Sequence, residues 1–140
     1  MRMTLKEVNR HFTELAGFGK KVFPSRLGFA ISCNLERMQE EIERVEKERK
    51  KLCEMYAEKD ESGNVLMAES VINGQKMQEY KMSEENKKAF SEEYTQLLET
   101  EVEIDIRKSG MEEIEQCEKI ERYDLLSVAE LLALSFMLEE

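Results

Sequence analysis

The stretch from Arg26 to Lys59, RLGFAISCNLERMQEEIERVEKERKKLCEMYAEK, decides the fold class. Within it Ile31, Leu35, Met38, Ile42, Val45, Arg49, Leu52 and Tyr56 recur alternately four and three positions apart. That spacing keeps one stripe of an α-helix on one side, because a turn takes 3.6 residues. The residues between are almost all Glu, Lys, Arg and Gln, so a single apolar seam runs along an otherwise solvated rod. A helix over 26–59 follows, about 50 Å long at 1.5 Å per residue. Arg49 is the one charged member of the seam, and its guanidinium must either reach outward along its apolar stem or meet a carboxylate.

Working outward, Thr4 and Glu7 form a capping box ahead of Leu5, Val8, Phe12 and Leu15, which predicts a helix over 5–16. Gly17 and Gly19 stop it, and Pro24-Ser25 restarts the chain. Beyond the long helix, Asp60 to Asn64 is turn chemistry, and Asn73-Gly74 marks a two-residue turn in a β-hairpin over 65–82. The turn sets Ile72 opposite Gln75, Met67 opposite Tyr80 and Val65 opposite Met82, so the hairpin is expected to cover a core on one face. Ser83 caps a helix over 84–99 that carries Phe90, Tyr94 and Leu97. Residues 101–106 alternate strictly between Glu or Asp and Val or Ile, a half-buried strand expected to pair with the hairpin. Short helices over 111–118 and 128–138 complete the chain, the second behind a Ser127/Glu130 capping box. The expected fold is α+β and mostly α, a single domain over 1–140 with one small antiparallel sheet made of the hairpin plus one strand.

Composition limits the function. The 140 residues hold 31 acidic and 21 basic side chains, a net charge of −10, which repels a phosphate backbone, so direct nucleic-acid binding is not expected. Charge is uneven: residues 1–35 are basic and 84–140 strongly acidic, so the two ends should attract each other or different partners. Cys33, Cys53 and Cys117 are odd in number and widely spaced, which predicts three reduced, buried thiols. No signal-peptide pattern and no membrane-spanning run is present, and the longest apolar stretch, Leu131 to Leu138, is too short; a cytoplasmic protein with no membrane contact is expected.

Candidate chemistry is sparse. His11 is the sole histidine and has no relay partner nearby; with Glu7 at i−4 it should form an ordinary helix ion pair rather than a metal site. The carboxylate pairs Glu92-Glu93, Glu112-Glu113 and Glu139-Glu140 lack ligand spacing, and Gly17, Gly19, Lys20 and Lys21 lack that of a phosphate loop. No catalytic residue, metal or cofactor is expected. Nine methionines suit core filling or an adaptable binding surface.

Three stretches carry a resemblance: Tyr56 to Asn64, Thr100 to Ile106, and the close from Ala129-Glu130-Leu131 to Met137-Leu138-Glu139-Glu140. Together they resemble a family of small helical proteins of phages and prophages of Gram-positive bacteria, a domain of unknown function. The resemblance implies a phage or prophage origin and transfers no site residue. The expected function is that of a non-catalytic accessory protein that binds a host protein with a basic surface, such as an inhibitor of a defence or nucleic-acid enzyme. Glu92, Glu93, Glu101, Glu103, Asp105, Glu112 and Glu113 are its expected acidic contact face. The alternatives are a virion-assembly protein, or a sponge for a nucleotide signal built on Arg2, Lys6, Arg10, Lys20, Lys21 and Arg26. The long seam predicts an antiparallel homodimer.

Overall fold

The computed structural model describes residues 1–139; Glu140, the second carboxylate of the terminal pair, lies outside the described residues. Among the described residues the fold is α+β and mostly α, with five α-helices, one of them long, and two antiparallel two-stranded sheets. In chain order these are β1 (Arg2–Thr4), α1 (Leu5–Ala16), α2 (Ser25–Tyr56), β2 (Met67–Ile72), β3 (Gln75–Tyr80), α3 (Glu84–Leu98), β4 (Glu101–Glu103), α4 (Met111–Lys119) and α5 (Val128–Leu134), with a 3-10 turn at Ser135–Met137. The chain was expected to form one domain. It is organised as two compact units, Met1–Glu43 with Glu101–Glu140, and Arg44–Thr100, so that the second is inserted into the first.

The first unit holds the core. Thr4 Oγ1 accepts from the Glu7 N–H at 3.1 Å and starts α1, which buries Leu5, Val8 and Leu15. Val8 and Leu15 pack in a cluster with Leu27, Ala30, Ile31 and Met38 of α2, Ile114 and Cys117 of α4, and Leu134 of α5. Fully burying a side chain of that size contributes about 1.5–3 kcal/mol. Ser127 and Glu130 close a complete capping box at the start of α5. That helix is shorter than the expected 128–138, because the segment after Leu134 bonds elsewhere. The Ser109 N–H donates to the Met137 carbonyl at 2.8 Å, and the Glu139 N–H donates to the Ser109 carbonyl at 2.9 Å.

The strand at 101–106 does not pair with the hairpin. Only 101–103 is strand, and its partner is β1, with Arg2 opposite Glu103, Met3 opposite Val102 and Thr4 opposite Glu101. Charge and burial together explain this register. Arg2 Nε lies 3.4 Å from Glu101, the terminal ammonium lies 3.7 Å from Glu103, and Met3 is buried. Ile104 still exchanges backbone hydrogen bonds with Met1, its N–H donating to the Met1 carbonyl at 2.9 Å and the terminal ammonium donating to its carbonyl at 2.8 Å; beyond it a side-chain clamp takes over. Asn34, fully buried in α2, accepts from the Arg107 N–H at 2.8 Å and donates to the Arg107 carbonyl at 3.1 Å.

The second unit is thinner. Its hairpin has the expected register, Ile72 opposite Gln75 and Met67 opposite Tyr80, around Asn73 and Gly74 at φ of 53° and 78°. Val65, however, bridges Lys59 instead of Met82. The same pairing ends α2 at Tyr56, short of the expected Lys59: the Glu58 N–H donates to the Lys81 carbonyl, and the Leu66 N–H to the Glu58 carbonyl, each at 2.7 Å. Backbone groups held by a neighbouring strand are lost to a helix. Ser83 caps α3, accepting from the Asn86 N–H at 3.2 Å, and Asn86 Nδ2 donates to the Tyr56 carbonyl at 3.1 Å. The hairpin covers no core: Val71 is 69% exposed, Met77 47%, Ile72 46% and Met67 44%.

Candidate functional site

The seven carboxylates of the expected contact face are divided by the fold. Glu92 and Glu93 lie on α3 in the second unit; Glu101, Glu103, Asp105, Glu112 and Glu113 lie in the first. Three of these five meet cations of the same unit, Glu101 with Arg2, Glu103 with the terminal ammonium and Asp105 with Arg37 at 3.6 Å. All three are largely exposed, so each pair contributes at most about 1 kcal/mol. Glu93 accepts a hydrogen bond from the Tyr56 hydroxyl at 2.5 Å, which pushes that phenol above its ordinary range. Glu112 and Glu113 stand in the first turn of α4.

The basic N-terminal stretch is also engaged internally. Lys21 Nζ lies 2.7 Å from Glu130, with both side chains mostly buried, and donates to the Leu125 carbonyl at 3.1 Å. The Lys21 hydrogen bond, followed by that from the Ser127 backbone, holds the Glu130 carboxyl below its usual value. Opposite charges at the two ends of the sequence thus close the first unit. Of the six cations considered for a nucleotide pocket, Arg2 and Lys21 are bound in this closure.

Along the seam, Ile31 and Met38 are buried and Leu35 and Ile42 pack on the core, while Val45, Arg49, Leu52 and Tyr56 are half-buried. Arg49 meets a carboxylate of its own helix, its Nε 3.0 Å from Glu46, and its Nη1 lies 3.6 Å from Cys53 Sγ. The hydrogen bond to Glu46 keeps this guanidinium firmly protonated. Burial pushes the Cys53 and Cys117 thiols up, so both are neutral at physiological pH. Cys33, expected to be buried, is half-buried.

His11 does not form the expected pair with Glu7. Its ring stacks on Phe136 with centroids 4.0 Å apart, and its buried Nδ1 has no hydrogen-bond partner. Burial, then the Arg10 charge, lowers its pKa from the ordinary value. Of the methionines, Met3, Met38 and Met137 are buried in the core, whereas Met1, Met55, Met67, Met77 and Met111 are exposed.

Two features stand out as places for a ligand or partner. One is the β2–β3 hairpin. Strand alternation places Met67 and Val71 on one face and Ile72 and Met77 on the other, and the two-stranded sheet has only edge strands. A hairpin with no third strand and no covered face is marginal in water, and its free edges are templates for another chain.

The other is a cleft of about 710 Å³ in the first unit, between the start of α2 and the N-terminus of α4. Its lining includes Arg26, Phe29, Arg107, Lys108, Ser109, Gly110, Glu112, Glu113 and Glu139. The Arg107 guanidinium lies 4.8 Å above the Phe29 ring, and Phe29 is 56% exposed. Gly110 offers α4 no side-chain cap. Ser109 is only 5% exposed, yet its Oγ has no hydrogen-bond partner. A buried hydroxyl left so costs roughly 1–3 kcal/mol. Phe29, Arg107 and Ser109 carry no local sequence signal, since only folding brings them together.

Among the described residues there is no group of three or more His, Cys, Asp or Glu that could hold a metal ion. None of their helices is long and apolar enough to cross a membrane. Comparison with protein-family models, with curated proteins and with solved structures returns no match for this chain.

Proposed function

We propose that this chain is a non-catalytic accessory protein of the phage or prophage kind that binds a host protein, with the β2–β3 hairpin as its principal contact. The hairpin carries the reading: four large apolar side chains on two strands stand open to water, on an element too small to be stable without a partner. A partner strand laid along β2 or β3 would satisfy edge N–H and C=O groups and cover Val71 or Met77. The net charge of −10 favours a partner with a basic surface and adds a salt-dependent contribution to its capture. The hairpin is preferred to the seven carboxylates as the main contact because Glu101, Glu103 and Asp105 already meet cations of their own unit.

The test is capture from a bacterial host lysate by the intact protein and by Val71→Asp/Met77→Asp, at low and high salt. One discrete host protein, retained by the first and lost by the second, is the expected outcome. Equal capture by both, or none by either, sinks the proposal. A homodimer is a second, compatible reading, favoured by the half-buried Val45 and Leu52 beside Met55, which is 61% exposed. Light scattering at micromolar concentration should give twice the chain mass for the wild type and the monomer mass for Leu52→Glu; a wild-type monomer removes that reading.

A further inference from the structure

The cleft between α2 and α4 goes beyond the hairpin reading and does not depend on it. Its wall brings nearly equal numbers of opposite charges together, with Arg26, Arg107 and Lys108 against Glu112, Glu113, Glu115 and Glu139. Not all are equally available. Lys108 Nζ is held by the Phe136 carbonyl at 2.7 Å, and Glu115 lies 3.8 Å from Lys119. Arg26, Arg107, Glu112, Glu113 and Glu139 remain to meet a ligand. Such a wall disfavours a polyanion, because the carboxylates repel it, and disfavours a polycation for the converse reason. It matches a molecule that carries one charge of each sign.

Two further features describe that molecule. Phe29, already stacked under Arg107, leaves more than half of its surface open for an aromatic or apolar side chain. The volume, about 710 Å³, lies within the range of small-ligand sites and exceeds what a single amino acid would fill. A second, smaller cleft of about 220 Å³ shares Arg26, Glu112 and Glu113 and extends the surface to Tyr123.

We infer that this cleft binds a short peptide in its zwitterionic form. The peptide's terminal carboxylate meets Arg26 and Arg107, its terminal ammonium meets Glu112 and Glu113, and an apolar side chain lies against Phe29. Guanidinium–carboxylate pairs supply direction as well as charge, and they distinguish a free carboxylate from an amide.

The experiment is titration calorimetry of the full chain with the tripeptide alanyl-phenylalanyl-alanine, its N-acetylated form and its C-terminal amide, with guanosine monophosphate and inorganic phosphate as further arms. The free tripeptide should bind, and blocking either end should weaken binding at least tenfold. Arg26→Gln should bind the free peptide and its amide equally, while Glu112→Gln should lose discrimination against the acetylated form. These readouts are ratios within one variant, so a modest loss of stability does not mimic them. No binding of the free tripeptide at millimolar concentration, equal binding of all three peptide forms, undiminished discrimination in both variants, or tighter binding of the phosphate compounds would each overturn the inference.

Discussion

In the first unit α2 buries Leu27, Ala30, Ile31, Asn34 and Met38, whereas in the second the same helix buries only Cys53 and leaves Val45, Arg49, Leu52 and Tyr56 half covered. The heptad spacing is continuous across both. What differs is the material that the rest of the chain brings to each half. The first receives α1, the β1–β4 pair, α4 and α5, each with buried side chains. The second receives an exposed hairpin and α3, which buries no residue. An apolar period thus states which side chains can be buried, and the neighbouring elements determine which of them are.

Truncation on the two halves should separate them most. Leu134→Ala, at a fully buried position of the first unit, is expected to cost about 2–5 kcal/mol in urea unfolding. Leu52→Ala, at a half-covered position, should cost less than half as much; equal losses would erase the contrast between the units. Asn34→Ala should come next. It deletes both hydrogen bonds to Arg107 and the weaker one from Nδ2 to the Met137 sulfur, leaving the Arg107 N–H and carbonyl without their partner, at about 1–3 kcal/mol for a buried group left unsatisfied. Amide exchange at Arg107 should accelerate in step with the lost stability.

Gly74→Val probes the second unit alone. At φ of 78° a β-branched residue is strained by about 1–2 kcal/mol, so hairpin amides should exchange faster while the first unit's unfolding midpoint stays put. The smallest effect is a pH dependence. His11 has its pKa lowered in the folded chain, so its contribution is complete above the ordinary value, 6.5, and declines as pH falls through the lowered one. His11→Gln should flatten the decline of Tm on the acid side of that value. An unchanged acid limb would show that other groups set it.

Much of the fold was legible because its signals are local. Thr4/Glu7, Ser83 and Ser127/Glu130 mark three helix starts, and Asn73-Gly74 fixes the hairpin register. The strand β1 was not legible, since three residues are too few for alternation to count. Nor was its pairing with β4, which depends on charges at opposite ends of the chain. Asn34 looks like an ordinary helix residue between Ile31 and Leu35, and its partner is a backbone 73 positions away. Exposure of the hairpin was hidden for the same reason: alternation describes a face, and no local rule says what covers it. At the cleft, Arg26, Glu112 and Glu113 were singled out from charge alone, in two unrelated proposals, and only the fold places them on one wall.

The insertion of the second unit into the first has a consequence during synthesis. Residues 1–43 leave the ribosome early, yet the strand β4 and the helices α4 and α5 that complete their core follow only after residue 100. At about 5–20 residues per second, the intervening segment imposes a delay on the order of 3–12 s. Through that interval Leu15, Leu27 and Met38 lack the C-terminal packing partners of the finished core, so the nascent chain offers a holding chaperone an apolar target. Chains stalled before residue 101 should be cut by protease within residues 1–43, and protection there before α5 emerges would rule the delay out.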